Sequence, residues 1–311
     1  MGKYLVTGGA GFIGSHLVEA LVARGDSVRV LDNLATGFRE NLAVIADRIE
    51  WIEGDVRDED TVRAALRDVE VVYHEAALPS VPRSVKNPLD SNSANITGTL
   101  NVLTVARDNG VRRFIMASSS SVYGKNPALP KQETMPTAPL SPYAVTKVAG
   151  EMYARVFSEL YGLTTVCLRY FNVFGPRQDP TTQYAGAIAK FMTCALRGEP
   201  FPVYGDGEQS RDFTFIENVV RANLLAAAAP IDGHAVMNIA CGEQTTLNQI
   251  IALLNELTSQ RLPTHYSPPR AGDVRHSLAA IDCARTLLGY QPHITLREGL
   301  ERTLQWYRSR L

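Results

Sequence analysis

The sequence predicts an α/β protein in which a doubly wound parallel sheet carries a smaller C-terminal α/β cap. Apolar runs of strand length alternate with helical patterns over the first half of the chain. Because the runs are continuously apolar, they are typical of parallel strands that helices cover on both faces. The runs fall at 3–7, 28–32, 49–53, 70–74, 112–117 and 163–169, and the helical patterns include 12–24, 59–67, 88–109 and 142–161.

A glycine-rich turn joins the first strand to the first helix. Residues 6–14 read Val-Thr-Gly-Gly-Ala-Gly-Phe-Ile-Gly. Gly8 permits a sharp turn, Gly11 lets the backbone approach a pyrophosphate, and Gly14 lets the helix pack closely on the strand. The free N–H groups at the start of the helix attract phosphates. Strand, turn and helix together predict a dinucleotide site of the Rossmann type.

The end of the second strand indicates which dinucleotide binds. Asp32 closes that strand, where a carboxylate can accept both hydroxyls of an adenosine ribose. The same negative charge would repel a 2′-phosphate. We therefore expect NAD, not NADP, as the cofactor.

Composition and charge limit the partners. The chain has 311 residues, is 45% hydrophobic and carries a formal net charge of −1, which gives no general attraction for nucleic acid or anionic membranes. The longest apolar stretch, 224–231, is too short to span a bilayer, and a strand from residue 3 leaves no room for a signal peptide. Four widely spaced cysteines predict neither a disulfide framework nor a metal site. We expect a soluble, cytoplasmic protein.

The character of the sequence changes after residue 172, where glycine and proline cluster between short helices and strands. We expect 1–172 to form the NAD-binding domain and 173–311 mainly the substrate domain. Segments near 213–240, with a helix at 216–229 and a strand at 235–240, are expected to return to the first domain.

Candidate catalytic groups lie at the cofactor-facing edge of the predicted sheet. Tyr143 and Lys147 are four residues apart on one helix, so their side chains share a face. A nearby ammonium and a positively charged nicotinamide would lower the pKa of the phenol and make it a base. A hydroxyl from Ser118–Ser121 could bind the same substrate oxygen. Such a pair also arises by chance, and four serines also form ordinary polar loops, but their shared position favours a catalytic role.

These motifs identify a family resemblance. Through Thr-Gly-Gly-Ala-Gly-Phe-Ile-Gly at 7–14, Asp55, the Tyr143/Lys147 pair and the preceding serines, the chain resembles the extended short-chain dehydrogenase/reductase family, and along its length it is similar to UDP-sugar 4-epimerases. Related dehydratases and decarboxylases carry an acid near 118–124, which is absent here. Alignment on Val122-Tyr123-Gly124 implies that Ser119 is the catalytic serine, with Ser118 and Ser120 one register away.

The resemblance is narrower in four segments: Ser-Val-Pro-Arg-Ser at 80–84, Asn-Ile-Thr-Gly-Thr at 95–99, the segment 170–180 and Gly-Asp-Val-Arg-His-Ser-Leu at 272–278. They are similar to bacterial epimerases of UDP-N-acetylhexosamines. The resemblance implies cofactor contacts from Gly8, Gly11, Phe12, Ile13, Gly14, Asp32, Asn33, Asp55, Val56, Ala76, Ala77, Asn95, Tyr143, Lys147 and Tyr170. It implies substrate contacts from Ser80, Ser119, Ser120, Tyr143, Asn172, Ala187, Tyr204, Arg211, Arg270 and Ser277, with Asn172, Arg211 and Arg270 at the UDP diphosphate and neighbouring groups.

The resemblance also implies a homodimer held by a four-helix bundle from 88–109 and 142–161. The implied reaction oxidises the sugar at C4 and reduces it again on its other face, with NAD regenerated in each turnover. His74 and His276 are interpreted as structural. Ser277 aligns with a wall beside the C2 substituent of the sugar, where glucose/galactose-only members carry a tyrosine, so room for an N-acetyl group is expected.

Other functions remain open from the sequence. UDP-glucose/UDP-galactose and UDP-glucuronate/UDP-galacturonate epimerases share the chemistry. A net dehydrogenase or reductase would consume cofactor. A non-catalytic NAD sensor is compatible with the fold but would have no use for a proton-abstracting pair.

Overall fold

A computed structural model describes residues 2–180, 186–269 and 274–310. The strands are β1 Lys3–Thr7, β2 Ser27–Asp32, β3 Ile49–Glu53, β4 Val71–His74, β5 Arg113–Ser119, β6 Thr164–Tyr170, β7 Val173–Phe174, β8 Phe201–Tyr204, β9 Ser210–Arg211, β10 Thr214–Phe215, β11 His234–Ile239, β12 Thr245–Thr246 and β13 Thr264–Ser267. The α-helices are α1 Phe12–Ala23, α2 Glu59–Ala65, α3 Val81–Lys86, α4 Pro88–Asn92, α5 Gly98–Asp108, α6 Pro142–Tyr161, α7 Ala187–Arg197, α8 Ile216–Ala228, α9 Leu247–Thr258, α10 Asp282–Leu288 and α11 Leu296–Arg308.

Seven strands form one parallel sheet in the order β11-β6-β5-β4-β1-β2-β3. Side chains alternate between its faces, so Leu5 and Val6 belong to two different apolar cores. One core contains residues of α1 and α8, and the other contains residues of α2, α5 and α6. Helices therefore cover both faces, and the prediction of a doubly wound parallel sheet is confirmed.

The order of the strands positions the site. From β1 the chain runs outward to β2 and β3, then returns to β4 on the other side of β1. This reversal opens a crevice at the carboxyl ends of β1 and β4, the usual ligand position in such sheets. The residues that follow these strands therefore face a common space.

One predicted helix differs in detail. The pattern at 88–109 predicts a single helix, whereas the structure has α4, a wider π turn at Ser93–Thr97 and then α5. Pro88 starts α4 at its first turn, where its missing N–H is tolerated. Apolar periodicity does not detect one extra residue in a turn, so this change was not predictable from the pattern of apolar residues.

The chain after residue 172 contributes to both parts of the molecule. β11 pairs with β6 along six residues and extends the large sheet, and α8 packs beside α1. The other late strands form two-stranded pairs, β7 with β10, β8 with β13 and β9 with β12. The division at residue 172 stays a prediction. Within the described ranges, no helix combines the length and apolar character needed to cross a membrane.

Candidate active site

A cleft of about 890 Å³ follows the carboxyl ends of the central strands. It collects nearly all of the residues for which a cofactor contact is expected. Those in its lining are Gly8, Gly11, Phe12, Ile13, Gly14, Asp32, Asn33, Asp55, Val56, Ala76, Ala77, Tyr143, Lys147 and Tyr170. The cleft therefore joins the glycine turn to the Tyr-Lys pair.

The glycine turn leaves room for a pyrophosphate. Gly8 has φ +69°, and a Cβ there would lie 2.7 Å from the Ala76 nitrogen. A Cβ on Gly14 would lie 2.2 Å from the Gly8 oxygen, so helix and turn are in close contact. A Cβ on Gly11 would meet a single atom within 4 Å, the Gly8 oxygen at 3.1 Å. Gly11 is also the N-cap residue of α1. A phosphate can thus approach the free N–H groups of α1.

Asp32 lies at the end of β2, where its carboxylate is held in place by the backbone. Its oxygens accept hydrogen bonds from the N–H groups of Ala10 (2.9 Å) and Leu34 (2.8 Å). Burial raises the pKa of Asp32, and these two hydrogen bonds oppose the rise. The backbone therefore fixes this acid in the cleft wall. A carboxylate at the end of the second strand, close to a glycine turn, fits NAD.

A second acid marks the same end of the cleft. Asp55 accepts two hydrogen bonds from the Arg57 guanidinium, at 2.9 and 2.6 Å, and one from the Asn33 amide at 2.7 Å. The side-chain hydrogen bonds from Arg57 are the main reason why the pKa of Asp55 falls to about 2. Asn33 and Asp55 form a single polar unit at this end.

Asn95 is the one expected cofactor residue outside the cleft lining. It is buried below the loop that follows β4, and its side-chain oxygen accepts from the Leu78 N–H at 2.7 Å. Its amide nitrogen donates to the Thr146 hydroxyl at 3.1 Å. Asn95 thereby connects that loop to α6, one residue before Lys147.

The helix α6 presents the Tyr-Lys pair to the cleft. Ser141 caps its start by accepting from the Ala144 N–H, with Pro142 at the first position. The Lys147 ammonium donates to the Ala117 carbonyl at 2.7 Å and lies 5.8 Å from the Tyr143 ring centre. Burial lowers the pKa of Lys147 to about 8. The cation is therefore fixed against β5, one turn from the phenol.

The acidity of Tyr143 differs from the sequence-based expectation. Burial raises its pKa to about 12, and a hydrogen bond with the Ser119 side chain opposes the rise. Desolvation of the phenolate is the largest cause, and the negative charge of Glu75 adds to the rise. A lower pKa would need the further positive charge that the sequence-based expectation assigns to the nicotinamide.

The three candidate serines have different surroundings. Ser118 is buried and donates to the Glu151 carboxylate at 2.5 Å. Ser119 hydrogen-bonds Tyr143, and both Ser119 and Ser120 line the cleft. Ser119 is thus the serine whose side chain contacts the Tyr143 phenol.

A smaller cleft of about 330 Å³ adjoins the first. Asn172 lines both clefts, whereas Ala187, Tyr204 and Arg211 line the smaller one. Asn172 follows β6 with φ +35°, and its amide donates to the Asp212 carbonyl at 3.0 Å. Ser80 lies in the lining of the larger cleft. Eight of the ten expected substrate residues therefore lie around two adjoining clefts.

One expected substrate residue lies outside both cleft linings, and the position of another is not described. The N–H of Ser277 donates to the Ser210 carbonyl at 3.1 Å, which places Ser277 beside the strand that carries Arg211. Ser277 is in the lining of neither cleft. Arg270 lies outside the described residues.

Two acids near the site, a half-buried one and a fully buried one, are not among the residues predicted from the sequence. Glu75 follows β4 and lines the larger cleft. Asp212 accepts from the N–H groups of Cys241, Gly242 and Ala279, at 2.9, 3.0 and 3.2 Å, and so ties three segments together beside Arg211. The signal for Glu75 was an acid directly after an apolar strand; for Asp212, an acid next to a candidate arginine.

The two histidines have structural surroundings. Thr99 donates to the Asn95 carbonyl, so its oxygen accepts from His74 Nε2, and His74 Nδ1 accepts from Thr7. Burial lowers the pKa of His74 to about 3, which keeps the ring neutral. His276 is exposed and contacts the Ser210 hydroxyl at 2.7 Å.

Together these features define an enzyme that binds a dinucleotide along a doubly wound sheet and holds a Tyr-Lys pair at its far end. The family model for the NAD dependent epimerase/dehydratase family matches residues 4–240. The chain belongs to this family, and the sequence-based expectation of an NAD-dependent enzyme of the epimerase type is confirmed.

Individual relatives match along the whole chain. A UDP-glucose 4-epimerase of Mycolicibacterium smegmatis is 40% identical over 312 residues, 99% of each chain. The UDP-glucose 4-epimerase of Thermotoga maritima, solved with UDP-glucose, is 42% identical with a TM-score of 0.94 over 99% of each chain. The UDP-N-acetylglucosamine 4-epimerase of Methanobrevibacter ruminantium, solved with UDP-N-acetylmuramic acid, is 40% identical with a TM-score of 0.96 over 100% of this chain and 99% of that one.

Proposed function

We propose that this protein is a UDP-sugar 4-epimerase that interconverts UDP-GlcNAc and UDP-GalNAc and also accepts UDP-Glc and UDP-Gal. The observation that carries the reaction is the group Ser119, Tyr143 and Lys147 at one end of the NAD cleft. A proton acceptor beside a hydride acceptor is what oxidation of a secondary alcohol requires. The resemblance to both glucose and N-acetylglucosamine epimerases supports the sugar-nucleotide class.

Tyr143 is the base in this proposal. It takes the proton of the sugar 4-hydroxyl, while Ser119 hydrogen-bonds the same oxygen. Lys147 and the positive charge of the oxidised cofactor stabilise the phenolate, which offsets the desolvation that otherwise raises the pKa of Tyr143. After the sugar has turned over, Tyr143 returns the proton.

Bound NAD supplies a hydride acceptor for C4 and a hydride donor to its opposite face. The glycine turn, Asp32 and the Asn33/Asp55 unit hold it along the cleft. Since the cofactor is regenerated in each cycle, it does not need to dissociate, and tight binding is compatible with turnover. Purified protein should therefore convert substrate without added NAD and without accumulating NADH.

The site must bind the nucleotide tightly and the sugar weakly. A sugar that presents both faces of C4 must turn, so its affinity must come from the UDP group. Asn172 and Arg211, in the smaller cleft beside the N-terminus of α7, supply donors for phosphate oxygens. Arg270 is assigned to the same task on the family resemblance alone.

The N-acetyl specificity rests on residue 277. A serine there leaves space beside C2 of the sugar, where a tyrosine would fill it. Ser277 adjoins Ser210 of β9, next to Arg211, so it lies one strand from the smaller cleft. The proposal therefore requires the segment that carries Ser277 to face the sugar when UDP is bound.

The test compares Ser277→Tyr with Ser277→Ala as the small control, by NMR of the anomeric signals of each UDP-sugar. We expect Ser277→Tyr to lose at least about a hundredfold of its activity on UDP-GlcNAc and to keep its activity on UDP-Glc, because steric room alone is lost. Ser277→Ala should resemble the parent. A Ser277→Tyr enzyme that epimerises UDP-GlcNAc at the parent rate would remove the basis for this specificity.

We also propose that the protein acts as a homodimer through the expected bundle of 88–109 and 142–161, together with the neighbouring helix α3. These helices expose several apolar side chains, which is unusual for a free surface. The exposed side chains are Val85, Leu89, Val145, Met152, Val156 and Leu160. We further propose a cytoplasmic location, because all four cysteines are free thiols.

A further inference from the structure

A carboxyl group with no part in the proposed reaction lies in the wall of the larger cleft. Glu75 directly follows β4, and its backbone N–H donates to the Thr7 carbonyl at the end of β1. It lines the cleft together with Tyr143 and Lys147. A negative charge at this point would act on every charged group that enters this end of the cleft.

A hydrogen-bond chain fixes this carboxyl. The Tyr170 hydroxyl lies 2.7 Å from Glu75 Oε1 and 2.8 Å from the side-chain nitrogen of Asn223. The same nitrogen donates to the Val219 carbonyl at 3.0 Å, which fixes the orientation of the amide. Because an amide N–H can only donate, the proton of Tyr170 is directed at Glu75. Glu75 therefore accepts this hydrogen bond, which favours its ionised form.

The charged and titratable groups around Glu75 come from three elements. Lys147 and Tyr143 face it from α6, Tyr170 faces it from β6, and its neighbour His74 is neutral. The Lys147 ammonium donates to the Ala117 carbonyl, so it acts on Glu75 through its charge. Burial raises the pKa of Glu75 to about 7, while the Tyr170 hydrogen bond and Lys147 oppose the rise.

The position of the redox chemistry follows from the substrate atoms. The proton leaves the 4-oxygen of the sugar and the hydride leaves C4, which is bonded to that oxygen. The hydride acceptor must therefore lie near Tyr143. Oxidised nicotinamide is positively charged and the reduced ring is neutral. A carboxylate in this wall therefore stabilises the oxidised form and has little effect on the reduced form.

We propose that Glu75 sets the redox balance of the bound cofactor, its negative charge favouring NAD over NADH in the cleft. The inference rests on the proposed placement of the redox step at Tyr143. An epimerase benefits from such a bias because each catalytic cycle starts from NAD, and enzyme that retains NADH is idle. Glu75 acts here on the cofactor and is not a proton acceptor for the sugar.

The test measures how the protein partitions between the two cofactor forms, with no sugar nucleotide present. Holoprotein is exchanged to equilibrium in excess mixtures of NAD and NADH, freed of unbound cofactor and assayed for bound NADH by its near-ultraviolet absorbance. Glu75→Gln removes the charge and keeps an oxygen that accepts from Tyr170. We expect it to raise the ratio of bound NADH to bound NAD about tenfold, equivalent to about 30 mV for a two-electron couple.

Two further variants separate charge from structure. Glu75→Asp keeps the negative charge, so its ratio should stay near that of the parent even though its shorter side chain loses Tyr170. Glu199→Gln makes the same chemical change at an exposed position outside the cleft and should leave the ratio unchanged. A Glu75→Asp ratio equal to that of Glu75→Gln would assign the effect to packing and overturn the proposal.

The pH dependence supplies a second readout. A carboxyl is ionised above its pKa, so the preference of the parent for NAD should rise between about pH 6 and pH 8. Lys147 also loses charge as the pH rises, and that contribution persists in Glu75→Gln. The difference between the two profiles belongs to Glu75. If the parent and Glu75→Gln show the same pH dependence of this ratio, the proposal is overturned. If Glu75→Gln does not retain cofactor, the parent alone is measured, and a ratio that does not change with pH overturns the proposal. If the parent protein binds NAD and NADH in the expected ratio but epimerises no UDP-sugar, the result counts against the proposed function and not against the role of Glu75.

Discussion

Replacing Glu151 by Gln should destabilise the protein strongly, because the substitution leaves a buried arginine without its counterion. Glu151 and Arg169 form a two-point ion pair, at 2.9 and 2.7 Å, with side chains 8% and 5% exposed. The Ser118 hydroxyl donates to the same carboxylate. The pair joins α6 to β6 and β5, the three elements that carry Lys147, Tyr170 and Ser119.

The expected size follows from burial. Removing one partner of a buried ion pair costs about 3–5 kcal/mol, since the remaining charge stays desolvated. The exposed pair Arg155–Glu159 lies on the same helix, with side chains 66% and 55% exposed. Pairs of that kind contribute about 0–1 kcal/mol. Glu159→Gln is therefore the matched control and should change stability by less than about 1 kcal/mol.

Urea unfolding of the protein with saturating NAD measures these differences by linear extrapolation. A double variant, Glu151→Leu with Arg169→Met, removes both charges and should recover most of the loss, because no buried charge remains. If Glu151→Gln and Glu159→Gln had equal free energies of unfolding, the account of a desolvated pair would be refuted.

Three further predictions concern the site and the proposed interface. Tyr143→Phe should lower turnover at least about a hundredfold with the fold intact, whereas Tyr153→Phe, on the same helix, should not; comparable rates in an NMR assay would show that the base is misplaced. Asp32→Ser should weaken NAD binding and reduce discrimination against NADP, and an unchanged preference in a binding titration would mean that another group reads the ribose. Val156→Asp should give monomers by sedimentation, while Val44→Asp, at an exposed site elsewhere, should not; identical profiles would exclude this interface.

Much of the fold was predictable because each buried strand can be recognised from the apolar character of its own residues. A strand covered on both faces is mostly apolar, and the six predicted runs lie within one or two residues of β1 to β6. The glycine turn was equally readable, since Gly8 adopts a positive φ and Gly14 tolerates no side chain at the contact with the turn. These are local requirements of the backbone.

The electrostatics of the site were not predictable in the same way. The pKa of Tyr143 depends on how completely the folded cleft removes water from the phenol, and periodicity does not measure that. Glu75 reaches Tyr170 across 95 residues of sequence, and Asp212 binds N–H groups from two distant segments. A single sequence contains no direct record of such contacts. The substrate residues beyond 172 depend on the same kind of long-range placement.

The helix α6 connects these observations. At 3.6 residues per turn, Tyr143, Lys147 and Glu151 lie along one face, toward the cleft and the buried Arg169. Met152 and Val156 lie on the opposite face and are exposed. An interface on that outer face would restrain the helix without contacting substrate. Loss of the dimer is therefore expected to alter activity through the position of α6, and to leave unchanged the contacts proposed between NAD, the glycine turn and Asp32.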